Sequence, residues 1–217
     1  MSERRTLALA AAVVGAAVPM FLVTFTLWQH AGLGEQASHD PLAVAAFAAS
    51  HPALYAVLPL TGVVMHLAAL VLVVGLHRAL AATSPLWAPV GSALALFWIT
   101  ADLLQNLIHY AVFVGPTPLA LVASANRAAD DLWHAGHMGG GLWILVLAAI
   151  GAPVFGRAHR VVCALAGAAF ALHPFVFPLV PAWFGVEMLL VPLWAFWTAV
   201  SLARPPTPSR PLALAPS

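Results

Sequence analysis

Several side chains able to do acid–base or metal chemistry sit inside otherwise apolar stretches of this 217-residue sequence: His66, Asp102, His137, His173 and Glu187. Imidazoles and carboxylates that converge from different segments are the usual donors for Zn²⁺ or another divalent ion. A catalytic metal site would use three of them and leave one position for a water, whose pKa falls to about 7. Glu187 or Asp102 would then act as the base or as a partner that orients a ligand. No HExxH-type spacing is present, so each ligand must come from a separate element.

Spacing groups the polar residues further. Asp102, Asn106 and His109 stand at i, i+4 and i+7, which puts them on one face of a helix. Asp130, His134 and His137 repeat that spacing, and Gly141 continues the stripe. Gly136 and Gly140 flank it as a small-xxx-small pair, where a neighbouring backbone can approach closely. His173 is followed by Pro174, Pro178 and Pro181. Each proline removes a backbone donor, and at membrane depth such backbone is tolerated where it is buried or lines a cavity. These features predict an outward-opening polar pocket walled by the second to sixth spans.

The elements that position these groups must be membrane helices. The sequence is 63% hydrophobic and 7% charged, with a mean hydropathy of +0.96. A soluble domain carries roughly 25% charged residues, so this chain has too little polar surface for water. Spans of about 20 apolar residues are read at Leu7–Trp28, Ala53–Leu76, Ala88–Tyr110, Leu132–Phe155, Val161–Val180 and Trp183–Ala203. No alternating pattern suggests a β-barrel. The expected fold is all-α: residues 1–203 as one six-helix membrane bundle, and 204–217, rich in Pro, Ser and Ala, as a disordered cytoplasmic tail.

Arginine placement orients the bundle. There is no lysine. Arg4, Arg5, Arg78, Arg157, Arg160, Arg204 and Arg210 all fall on one face when six spans are counted, and that face should be cytoplasmic. Arg127 falls on the other face with Glu35, Asp40, Asp130 and Asp131. Both termini are therefore expected inside, with the chain multi-pass in the cell membrane. The run after Arg4 and Arg5 is long for a signal peptide and no clear cleavage site follows Trp28, so it reads as a retained anchor.

On this topology the ionisable groups gather in the outer leaflet. Asn106, His137, His173 and Glu187 lie about 6–10 Å from the outer helix ends, Asp102 about 13 Å and His66 about 20 Å. Other polar residues have plainer readings. His109 and His134 suit the interface, and Asp130 suits a helix cap with Asp131 beside it. His77 and His159 adjoin the arginines at the inner face, and His30, His39 and His51 suit loops. Trp28, Trp87, Trp133 and Trp183 suit an aromatic belt. Asp40-Pro41 could start a short interfacial helix with Leu42, Val44 and Phe47 as its apolar residues. Cys163, the only cysteine, excludes an internal disulfide and reads as a buried thiol.

The readings left open are a metal site, a haem b site and a hydrogen-bonded network without activity. His137 and His173, at equal depth on neighbouring antiparallel helices, could ligate haem iron from both sides. Four intramembrane histidines on successive central helices look like the layout of b561-type cytochromes, although here they do not separate into two depths. Arg127 is the sole outer arginine for propionates. Net charge +1 gives no sign of a nucleic-acid partner. The partners expected are the lipid bilayer, a hydrophobic small molecule or lipid, or other subunits of a membrane complex. No inverted repeat relates the two halves, which speaks against a transporter.

Two further segments carry a resemblance. Leu76-His77-Arg78-Ala79-Leu80 leads through Ser84-Pro85 into the third span, and Phe155-Gly156-Arg157 leads into a fifth span containing Gly167. In these the chain resembles a broad family of bacterial six-helix integral membrane proteins, defined only as a domain of unknown function. The resemblance would cover most of the chain. It implies a membrane bundle, and it implies no activity and no site residues.

Overall fold

The computed structural model describes residues 3–34, 40–114 and 118–204. Their regular structure is helical throughout: α1 (Glu3–His30), α2 (Pro41–Ser50), α3 (Pro52–Ala81), α4 (Trp87–Val114), α5 (Leu119–Ile150), α6 (Arg157–Val176) and α7 (Trp183–Ala203). All except α2 are long and apolar enough to cross a membrane. In hydrocarbon the backbone must satisfy itself, and helices do so within one segment. The chain is a multi-pass integral membrane protein.

The six long helices pack in chain order, α1 on α3, then α4, α5, α6 and α7, and α7 closes the ring against α1. The interior is filled by Leu72, Trp98, Trp143, Ile144 and Trp194, among others. Arg4 in α1 donates from Nε to the Leu202 carbonyl at 3.2 Å and from Nη2 to the Arg204 carbonyl at 3.0 Å. These are carbonyls that the end of α7 leaves without helical partners. The first and last described turns thus meet at one end of the bundle, with the other arginines of that end.

The opposite end is capped by α2. Asp40 is its N-cap: the carboxylate accepts from the Leu42 N–H at 3.0 Å, and Pro41 fills the first turn. Val44 and Phe47 turn inward, whereas Leu42 is exposed. They pack with Trp28, Leu33, Tyr55 and Val122 in a second apolar cluster. Trp28 is stacked on Tyr55 and donates to the Leu54 carbonyl, so it is a core residue and not a belt residue. Trp183, half-buried at the start of α7, donates to the Ala169 carbonyl, and Trp87 is exposed. His51 separates α2 from α3, but His30 ends α1 instead of lying in a loop. His39 and the tail from residue 205 lie outside the described residues.

One element differs from its hydropathy in a way that matters. α5 starts at Leu119, after Pro118 at its N-cap position, and not at Leu132. Asn126, Arg127, Asp130 and Asp131 end the apolar run, but they do not break a helix; alanines and leucines around them propagate it. Asp130 and Asp131 therefore sit several turns inside α5, and the helix-cap reading of Asp130 falls. At the other extreme, α6 ends at Val176, before the expected Val180, in turns that contain Pro178 and Pro181.

Candidate functional site

Helix contact explains why the site residues meet. At Gly141 of α5 a Cβ would run into the Ala171 backbone and would lie 2.7 Å from the Gly167 carbonyl, and at Gly167 it would lie 2.8 Å from the Leu145 nitrogen. α5 and α6 are thus in backbone contact there, as small residues permit. One turn from Gly141, toward the α2 end, stands His137, and the antiparallel α6 brings His173 beside it. Their ring centroids are 4.5 Å apart. Gly136 faces α4, where a Cβ would collide with Asp102 Oδ1, and Gly140 faces both neighbours, where a Cβ would crowd Phe170 of α6 and Trp98 of α4. The histidine-bearing face of α5 looks into the bundle.

Two linked groups result. In the first, His173 Nδ1 lies 2.8 and 2.9 Å from the two oxygens of Glu187 in α7. One donor atom each from His137, His173 and Glu187 fall within 4.8 Å of one another. His173 and Glu187 are fully buried and His137 is 6% exposed. Trp133, Phe170 and Phe177 pack against the imidazoles. The site is packed rather than open. The two cavities described lie elsewhere, one of about 10 Å³ between Leu76, His77 and Trp143, and an open one of about 450 Å³ at Ser124, Arg127 and Asp131.

The second group pairs α3 with α4. His66 Nε2 lies 3.1 Å from Asp102 Oδ2, which also accepts from Trp98 Nε1 at 2.8 Å. His66 Nδ1 lies 2.6 Å from the Gly62 carbonyl. A carbonyl only accepts, so Nδ1 must carry hydrogen. The contact to Asp102 then needs a proton of its own, held either on Nε2 or on the carboxyl. His66 and Asp102 share one proton more than a neutral imidazole and a carboxylate would hold. That is an economical way to bury the pair, because the pair has no net charge.

The same reasoning fixes His137. Its Nδ1 lies 2.9 Å from the Trp133 carbonyl and must donate, leaving Nε2 with a lone pair in the neutral ring. Phe170 joins the two groups: its ring centroid lies 5.9 Å from that of Trp98 and 4.3 Å from that of His137. Asp102 Oδ1 and His173 Nε2 are both buried atoms without a hydrogen-bond partner among the described residues. Asn106 shares the Asp102 face and donates to the Asp102 carbonyl at 2.7 Å, a helical bond and not a ligand position.

All five expected site residues are buried in the bundle, in these two groups and not as one ligand shell. The hydropathy ruler set His66 well below Asp102, yet they touch, because α4 runs on to Val114, past the expected Tyr110, while α3 begins at Pro52, close to the expected Ala53. Trp133 proves to be a wall of the cluster instead of a belt residue. Trp98 carried no chemical signal, although its position one turn before Asp102 was visible. His159 is buried, not interfacial: its Nε2 lies 3.0 Å from Thr198 Oγ1, whose hydroxyl donates to the Trp194 carbonyl, and its Nδ1 lies 3.1 Å from Ser201 Oγ. The haem arrangement does not fit. Two axial imidazoles need a porphyrin between them, and the His137 and His173 rings are packed against each other.

No protein-family model, no curated protein and no solved structure matches this chain.

Proposed function

We propose that this is a cell-membrane protein with cytoplasmic termini that holds a divalent cation, zinc by donor chemistry, at His137, His173 and Glu187. The observation that carries the reading is a two-imidazole, one-carboxylate set from three helices, buried and within 4.8 Å. Two histidines and a glutamate with one open position are a known catalytic zinc set. The cation would replace the proton between His173 Nδ1 and Glu187. Two ligands of a tetrahedral zinc stand about 3.4 Å apart, so the present 2.8 Å contact needs only to widen slightly. His137 would supply Nε2, the nitrogen its backbone bond leaves free.

Asp102 has a positioning role in this scheme. With Nδ1 on the metal, the neutral His173 ring would carry its hydrogen on Nε2; that nitrogen and Asp102 Oδ1 are both buried and not bonded to each other here, and the proposed scheme has them pair when the cation is bound. Carboxylates that receive the second N–H of a ligating histidine hold its tautomer and raise its basicity. His66 and Trp98 in turn hold Asp102. A water on the open position would be activated for hydrolysis, which makes metal-assisted hydrolysis the reaction class to test first. The resemblance to bacterial six-helix membrane proteins agrees with a bacterial cell membrane and adds no ligand.

Elemental analysis and an absorption spectrum of gently purified protein test the reading. The expected result is near-stoichiometric zinc, no Soret band, and loss of zinc in His137→Ala and His173→Ala. A metal-free protein that stays metal-free after incubation with zinc would overturn it, and a Soret band lost in His137→Ala would return the site to haem.

A further inference from the structure

α5 carries a second set of polar residues that leads to the buried cluster from the α2 end. Asn126, Asp130, His134 and His137 stand at i, i+4, i+8 and i+11, all on one helical face. Along it exposure falls: Asp130 is exposed, His134 half-buried, and His137 buried. Asn126 Nδ2 donates to Asp130 Oδ2 at 3.0 Å, which fixes one oxygen and orients the carboxylate. Asp130 stands one helical turn from His134 on that face. The His134 ring lies 5.0 Å from that of His173, and Phe177 flanks both. His134 Nδ1 is buried without a hydrogen-bond partner among the described residues, as is His173 Nε2.

A helix-cap role for Asp130 is excluded by its position well inside α5. An exposed carboxylate and a half-buried imidazole one turn below it instead make a graded series of cation donors. Arg127 is the opposing charge of this helix, and it lies beside Asp131 on the open cavity, leaving Asp130 to Asn126 and His134.

Resting on the cation reading above, we propose that Asp130 and His134 form the entry path by which a hydrated divalent cation reaches His137, His173 and Glu187 from the α2 end of the bundle. Asp130 attracts the ion at the surface, where fixed acidic groups raise on-rates by about 10- to 1,000-fold. His134 offers a nitrogen as the ion sheds water, before His137 and His173 take it. The residues of the path govern how fast the site fills. They do not govern how much metal it holds.

The test is zinc uptake by metal-stripped full-length protein in liposomes, read both as initial rate and as final stoichiometry. His134→Ala and Asp130→Asn should each load about tenfold more slowly or worse, with unchanged final zinc. His134→Gln, which keeps polarity and size, should load slowly too, and Glu3→Gln at the arginine-rich end should load like the parent. Parental loading rates in His134→Ala and Asp130→Asn would overturn the path while leaving the metal site standing. Loss of final zinc in His134→Ala would also overturn it, by making His134 a ligand. Absence of zinc from the parent protein would remove the metal site itself, and the path with it.

Discussion

Replacing Asp102 by asparagine changes one oxygen to an amide nitrogen, and the hydrogen bonds around it dictate the consequence. Oδ2 now meets two groups: Trp98 Nε1–H at 2.8 Å and His66 Nε2 at 3.1 Å. His66 Nδ1 is committed to the Gly62 carbonyl. If the amide oxygen takes that position it accepts from Trp98 but leaves the neutral His66 Nε2 unsatisfied. If the amide nitrogen takes it, the bond to His66 survives but two N–H groups face each other at Trp98. An isosteric side chain therefore loses one of two buried bonds in either orientation. An unsatisfied buried group costs about 1–3 kcal/mol. Interhelical bonds in membranes average nearer 0.6 kcal/mol, because the unfolded chain finds partners there too. We expect Asp102→Asn to cost about 1–2 kcal/mol, a factor of about 5–30 in the folded-to-unfolded ratio. Trp98→Phe removes the competing donor, so the double variant should be more stable than the sum of the single losses by about 1 kcal/mol. Reversible unfolding of metal-stripped protein in detergent mixtures, followed by helical circular dichroism, measures all four species. Additive losses, or an Asp102→Asn variant as stable as the parent, would refute the hydrogen-bond roles assigned to His66 and Trp98.

Two other expectations concern packing and topology. Gly141→Leu places atoms against the Ala171 and Gly167 backbone, which cannot rotate away; it should cost about 1–3 kcal/mol in the same unfolding assay. By parting α5 from α6 it should also abolish zinc retention, and an unchanged zinc content would show that helix contact there does not position His137 and His173. In a Cys163→Ala background, Ser38→Cys should react with a membrane-impermeant reagent on intact cells and Ser209→Cys should not; equal labelling would overturn the orientation.

The composition and the arginine pattern alone determined a six-span helical bundle, because hydrocarbon length and backbone satisfaction leave few other solutions. They also marked His66, Asp102, His137, His173 and Glu187, since ionisable groups within apolar runs stand out against a background that rarely contains them. Spacing showed that Gly136, Gly140 and Gly141 share the histidine side of α5, which is where α4 and α6 come close. The tertiary structure decided what hydropathy could not. A helix does not stop where its residues become polar, so the start of α5 at Leu119, and with it the place of Asp130 well inside the helix, was invisible to an apolar-run reading. The division of five residues into a His66–Asp102 pair and a His137–His173–Glu187 cluster was equally hidden. It depends on how far each helix extends and how each is rotated against its neighbour, and those are fixed by contacts between residues distant in sequence, Gly141 with Gly167 and His173 with Glu187 among them.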